Sequence, residues 1–397
     1  MKNNQGIEKV LHYLAKEIGE RPVGTDANTQ AVNFLEQSMQ KAECPIQSVH
    51  FPAMRWRHGP SRLEVGNNTF PVFPSPFSEP FQGEAEIITA STSAALMKQD
   101  ITGKILLLES PIADEPLMPK GFPFYFPDEH KELIQSLEEK APAAIIAATG
   151  KHPIAGIDPY PLFEDGNFKI PSCCLRKKDI PKSLFDSEIG KLIIDSHPIP
   201  TDGRQIWAEK PGEKTSVAAV FGHMDTKYGT PGAMDNAGGV AVILEVLESL
   251  KNTPLPFELH VIPFNGEEYF GVPGQLAYLE YLQNTKKKVT LAVNIDGVGA
   301  AGGKGSFSFY NINDDEKTRI LQTITDYPNL AAGSQWYEGD HSMFAFQGVP
   351  CIAVTSSDLK ANVMNISHTE KDTTEKVDTA TLQQAAEAIA DILRTCS

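Results

Sequence analysis

Apolar residues recur at helical spacing in two stretches near the N-terminus, residues 7–19 and 26–42. In the second, Ala31, Phe34, Leu35 and Met39 share one face, and Thr25 or Asp26 can cap its start. The Gly-Glu-Arg-Pro-Val-Gly segment between them is a turn-rich link. From about residue 45 to 75 the pattern shortens to strands and turns, with an Asn67-Asn68 turn. From about 75 to 200 prolines are dense and loops long. GKILLLES and KIPSCCL predict strands there, and HKELIQSLEEKAPAAIIAATG a helix followed by a strand.

From about 215 onward the chain alternates strand, loop and helix. Ser216–Phe221 is a short apolar strand. GGVAVILEVLESL is a helix, with Val240, Ile243, Leu244, Leu247 and Leu250 on one side. Strands at 257–264, 289–295 and 349–355 follow, with a helix around Gly274–Leu282 and a last one over TLQQAAEAIADILRT. This alternation predicts an α/β fold, a mixed, mainly parallel central sheet flanked by helices, with an inserted smaller β-rich α/β domain. The expected division is residues 1–74 and 201–397 for the main domain and 75–200 for the insert.

Composition narrows the function. The 397 residues carry 51 acidic and 35 basic side chains, a formal net charge of −16. That excess argues against nucleic acid and against an anionic membrane surface as partners. No apolar run reaches the roughly 18 residues that span a bilayer. The first twenty residues pattern as an amphipathic helix and not as a secretory signal. The five cysteines, Cys44, Cys173, Cys174, Cys351 and Cys396, include no CxxC. A cytoplasmic location is therefore expected, with secretion the alternative if a leader has been trimmed.

Ligands of open α/β sheets bind beyond the carboxyl ends of the strands. Those positions hold His223 and Asp225, then Asp235, then Glu267 and Glu268, then Asp296, and finally His368. Taken singly, each is an ordinary loop pair, helix cap or turn. Together they place five carboxylates and two imidazoles at one edge. Carboxylates so close repel one another unless protonated or neutralised by a cation. The imidazoles favour zinc over calcium or magnesium. The donors exceed what one catalytic zinc takes, and two ions sharing a bridging carboxylate would use most of them. His260, mid-strand, and the Cys173-Cys174 pair are expected to be packing residues.

The stretches GHMDT, PGAMDNAGGVAVILEVLESL, IPFNGEEYFGVPGQLAYL, NIDGVG, GDHSMFAFQGVP and SHTEKDT follow one another over residues 222–373. In order and spacing they resemble the co-catalytic di-zinc aminopeptidase family, which also contains glutamate carboxypeptidase, glutaminyl cyclase and the transferrin-receptor ectodomain. The resemblance implies the zinc exopeptidase fold and two zinc ions per chain. It implies His223 and Asp296 on one ion, Glu268 and His368 on the other, and Asp235 bridging. Glu267 would be the general base for a metal-activated water. Asp225 would hydrogen-bond His223 from behind and fix its tautomer. Asp340, His341 and Tyr337, in and beside the GDH stretch, are candidates for substrate contact. Residues 75–200 are similar to the family's protease-associated insert.

The expected activity is removal of N-terminal residues from peptides. The rival readings are a glutaminyl-cyclase-like acyl transferase with one zinc, a dipeptidase or carboxypeptidase on the same frame, and a non-catalytic scaffold. The intact His223 and Asn-Ile-Asp296 favour two metals and catalysis. A second copy of the chain remains open as a partner.

Overall fold

The computed structural model describes residues 5–180, 188–358 and 363–396. The chain divides into two compact units, Met1–Ala53 with Asp202–Ser397, and Met54–Thr201. Strands are numbered in chain order. The chain passes between the units within two long strands, β1 (Ile46–His58) and β9 (Ser196–Lys210).

The smaller unit holds β2 (Ser61–Val65), β3 (Asn68–Pro74), β4 (Phe81–Ala90), β5 (Ile105–Leu108), β6 (Ala144–Thr149), β7 (Ser172–Arg176) and β8 (Ile189–Ile194). They close into a barrel in the order β2-β3-β7-β6-β5-β4-β8. Leu63, Ile87, Ile105, Ile146, Cys173, Leu175 and Leu192 fill one of its cores. The buried cysteines of β7 thus serve packing, and all five cysteines are free thiols. The unit begins at Met54, not at residue 75. The reason is pairing: Arg62 of β2 lies opposite Ile193 of β8, and Phe73 of β3 opposite Cys174 of β7. The turn-rich 61–74 segment is barrel wall.

The larger unit adds β10 (Ser216–His223), β11 (Glu258–Phe264), β12 (Lys288–Ile295), β13 (Gly305–Tyr310), β14 (Leu330–Ala332) and β15 (Cys351–Ser356). Its eight-stranded sheet runs β1-β9-β11-β10-β12-β15-β13-β14. The centre, β11-β10-β12-β15, is parallel, while β9 and β13 run antiparallel to their inner neighbours. Central parallel strands are buried on both faces, which is why SVAAVF is apolar without alternation. On one face Ala218 and Val220 pack with Val240, Ile243 and Leu247 of the helix Gly238–Leu250 and with Ile389 of the helix Thr379–Thr395. On the other, Phe221 meets Phe264 and Phe344, and Phe264 meets Tyr278 of the helix Pro273–Thr285. His260 is buried beside Tyr278, its Nδ1 2.8 Å from the hydroxyl. Among the described residues no helix is long and apolar enough to cross a membrane.

Candidate metal centre

The parallel register aligns the strand ends. His223, the last residue of β10, pairs with Phe264, the last of β11, and Phe221 pairs with Asn294 of β12. The turn carrying Glu267 and Glu268 and the residue Asp296 therefore emerge at the same edge. Asn236, two residues ahead of the helix Gly238–Leu250, ties the start of that helix to the end of β12. Asn236 Oδ1 accepts from Gly239 N at 3.1 Å, and its Nδ2 donates to Ile295 O at 2.8 Å. A Cβ on Gly239 would lie 2.5 Å from Ile295 O and 2.2 Å from Asn236 Oδ1, so glycine is required there.

Two donor triads result, His223 with Asp235 and Asp296, and Asp235 with Glu268 and His368, each with its ligand atoms within 4.8 Å of one another. Asp235 serves both. Its Oδ1 is 3.0 Å from His223 Nε2, and its Oδ2 is 3.2 Å from His368 Nε2. Asp296 Oδ1 is 3.5 Å from His223 Nε2, and Glu268 Oε1 is 3.0 Å from His368 Nε2. The other Glu268 oxygen lies 3.4 Å from Lys227 Nζ.

These residues fit a metal on their own geometry. His223 Nε2 is buried and has no hydrogen-bond partner despite its short distance to Asp235. It aims between the carboxylates, where an ion would sit, and its other nitrogen is committed: Nδ1–H donates to the Asp225 carbonyl at 3.2 Å. That fixes the tautomer with Nε2 as the ligand atom. Burial opposes charge on both histidines, yet Asp296 and Asp235 around His223, and Glu268 and Asp235 around His368, outweigh it and hold both pKa values well above the usual range. Burial also pushes the Glu267 carboxyl well up, with Glu268, Asp296 and Asp340 adding to it. Such crowding of negative charge is what a divalent cation relieves.

The expected role of Asp225 changes. Its carboxylate is 3.8 Å from His223 Nδ1, beyond hydrogen-bond reach, and it is the Asp225 backbone that holds the imidazole. The carboxylate instead accepts from Gly266 N at 2.9 Å, Glu267 N at 3.3 Å and Glu268 N at 3.1 Å. It is the anchor of the Glu267-Glu268 turn. Three backbone donors satisfy a buried carboxylate better than one imidazole.

The GDH stretch is only partly free to meet a substrate. His341 is buried with both ring nitrogens engaged: Nε2 donates to Trp336 O at 2.8 Å, and Nδ1 accepts from Asn294 Nδ2 at 3.3 Å. Burial lowers its pKa to about 4, so it is neutral at neutral pH. Tyr337 is 47% exposed, its hydroxyl donating to Gln335 Oε1 at 3.4 Å, and its ring stacks on Phe346. Asp340 differs. Its Oδ1 accepts from Gln275 Nε2 at 2.7 Å, while its Oδ2 is buried without a partner. Burial, with Asp296 and Asp225 nearby, pushes its carboxyl up to about 7.

Residues 205–393, which carry both triads, match peptidase family M28. Longer stretches are similar to individual proteins. The aminopeptidase YwaD of Bacillus subtilis is 24% identical over 397 residues, covering 96% of this chain and 82% of its own. Carboxypeptidase Q of Rattus norvegicus is 23% identical over 316 residues, covering 74% of this chain and 64% of its own. An aminopeptidase from Aneurinibacillus sp. strain AM-1 shares the fold with a TM-score of 0.78 at 17% identity, covering 98% of this chain and 93% of that one. A glutaminyl cyclase of Porphyromonas gingivalis superposes less well, at a TM-score of 0.53 and 14% identity over 98% of this chain and 97% of that one.

Three residues around the two triads are not legible in the sequence: Arg21, Gln275 and Asp372. Arg21 stands in a turn-like segment, where arginine is usually solvated. Asp372 lies in the SHTEKDT stretch, and only its position four residues after His368 hinted at the site.

Proposed function

We propose that this chain is a zinc-dependent aminopeptidase. Two zinc ions would be held, one by His223, Asp235 and Asp296 and one by Asp235, Glu268 and His368. The observation that carries the reading is Asp235, whose two oxygens face the two histidines at 3.0 Å and 3.2 Å. Bound zinc supplies Lewis acidity toward the scissile carbonyl and toward water. Glu267 takes the proton of the attacking water and returns it to the leaving amine. Asp225 keeps Glu267 and Glu268 in place through their backbone. Asp340 offers its unpartnered buried oxygen to a donor on the substrate, and the α-ammonium of a peptide is such a donor. The seven-stranded barrel is the protease-associated-like insert, a reading supported by its parallel β4-β5-β6-β7 run.

The test is Glu267→Gln. The variant is expected to bind zinc at the wild-type stoichiometry, two per chain by metal analysis. Its turnover of leucine anilide should fall by about 100-fold or more, the usual span of general-base loss. Wild-type turnover in this variant removes the base assignment. One zinc per chain, with cyclisation of glutaminyl peptides, would turn the reading to acyl transfer. A panel of aminoacyl anilides and dipeptides with free or blocked amines separates aminopeptidase from carboxypeptidase action.

A further inference from the structure

Arg21 is wholly buried, and its side chain spends itself on main-chain carbonyls. Nε donates to Met224 O at 2.6 Å. Nη1 lies 2.7 Å from Pro231 O, 3.0 Å from Gly19 O and 3.3 Å from Leu14 O, and Nη2 donates to Gly232 O at 2.9 Å. Its backbone N donates to Thr226 Oγ1 at 2.9 Å, and its carbonyl accepts from Asn28 Nδ2 at 3.1 Å. Burying a guanidinium is costly, and the cost is offset only where every donor is matched. Burial lowers its pKa to about 10, so it stays charged at neutral pH.

Three of these carbonyls belong to one segment. Met224 lies between His223 and Asp225, and Pro231 and Gly232 stand just ahead of Asp235. The same segment is gripped from its N–H side. Asp372, fully buried, accepts from Met234 N at 2.8 Å through Oδ1 and from Asp235 N at 3.1 Å through Oδ2. Its carbonyl accepts from Ala233 N at 3.3 Å. Gly232 makes the approach possible. It has φ 60°, and a Cβ there would lie 2.3 Å from Thr226 Cγ2 and 3.2 Å from Arg21 Nη2.

We propose that Arg21 and Asp372 are a pair of positioning residues that clamp segment 224–235 from its carbonyl and N–H sides, setting the Asp235 carboxylate between the two triads. The side-chain hydrogen bonds of the pair go to backbone groups, and among the described residues none goes to a triad side chain. The pair acts through the backbone of the one residue shared by both triads, so its loss is read first in metal affinity. Arginine is needed because its planar fork reaches several carbonyls at once, whereas lysine offers a point charge. The proposal rests on the two-zinc reading of the centre.

The experiment uses the full chain, stripped of metal with a chelator, as wild type, Arg21→Lys, Arg21→Met and Asp372→Asn. Zinc alone is titrated against a chromophoric competitor, and thermal midpoints of the stripped proteins are recorded alongside. Asp372→Asn keeps one of its two acceptors and is the variant expected to fold without difficulty. It should bind zinc 10–100-fold more weakly, the usual effect of losing a group that orients a ligand. Its stripped midpoint should fall only by what one lost acceptor costs, a few degrees. Arg21→Met should weaken zinc at least as much, Arg21→Lys less, with kcat falling and KM holding in each. A merely structural role predicts a lowered stripped midpoint with unchanged zinc affinity, and that result overturns the clamp. If Arg21→Met does not fold, Arg21→Lys and Asp372→Asn decide. If the wild type itself binds no zinc, the metal-centre reading falls, and the clamp falls with it. If the wild type binds two and the folded variants match it, only the clamp falls.

Discussion

Asp225 illustrates how a residue can be found and its partner mistaken. Its place two residues after His223 at a strand end marked it as part of the site. Sequence spacing suggests a carboxylate behind the imidazole, but it cannot say which oxygen meets which nitrogen. In the fold the neighbouring turn of β11 brings Gly266, Glu267 and Glu268 N–H groups within 3.3 Å of that carboxylate. Asp225→Ala would leave three buried donors without an acceptor, at about 1–3 kcal/mol each. The expected loss in the unfolding of the metal-stripped protein is therefore at least about 3 kcal/mol, measured by urea titration. Asp225→Asn keeps an acceptor oxygen and should lose less. Equal stability of Asp225→Ala and wild type would show that the carboxylate does not hold the turn. The triad residues were legible because each is a charged side chain at the end of an apolar strand or in the segment that follows one. Arg21 and Asp372 were not, because what they grip is backbone, and His368 sits in the left-handed region at φ 60°, which nothing in Ser-His-Thr announces.

At the scale of elements, legibility followed burial. The parallel strands β10, β11, β12 and β15 stood out as continuous apolar runs because both their faces are covered. The strand β13, GSFSFY, alternates serine with aromatics, a pattern that hides its burial on both faces. The helix Asp314–Thr325 was missed because only Ile320 and Ile324 are buried, too few to set a period. The first helix ends as Gln5–His12 and continues in a wider turn, Tyr13–Ile18, within the stretch that periodicity assigned to one helix. Glycines give a sharper test of packing. In an exposed helix, Gly→Ala stabilises by about 1 kcal/mol through propensity. At Gly239 the sign should reverse, because the new methyl would lie 2.5 Å from Ile295 O and 2.2 Å from Asn236 Oδ1. Gly239→Ala is expected to lower the melting temperature and weaken zinc binding by moving Asp296 away from His223. A rise in melting temperature with unchanged zinc affinity would contradict the close approach.

For the whole molecule, the two-unit architecture leads to one measurable property. The larger unit's core runs from Ile7 to Leu393, while the barrel has its own cores around Leu106 and Leu107. Each unit can therefore report a transition of its own. Both triads lie in the larger unit, so zinc binding is expected to stabilise that unit directly. At free zinc about a thousandfold above its dissociation constant, linkage adds about 4 kcal/mol. For a unit of this size, each kcal/mol moves the midpoint by about 2–4 °C. Scanning calorimetry should show one transition dropping by roughly ten degrees when chelator is added, with the other unmoved. The barrel-assigned transition serves as the internal control, because it holds neither triad. Equal shifts of both transitions would place the linkage across the whole chain. A complete absence of shift would leave the crowded carboxylates without the cation that their arrangement calls for.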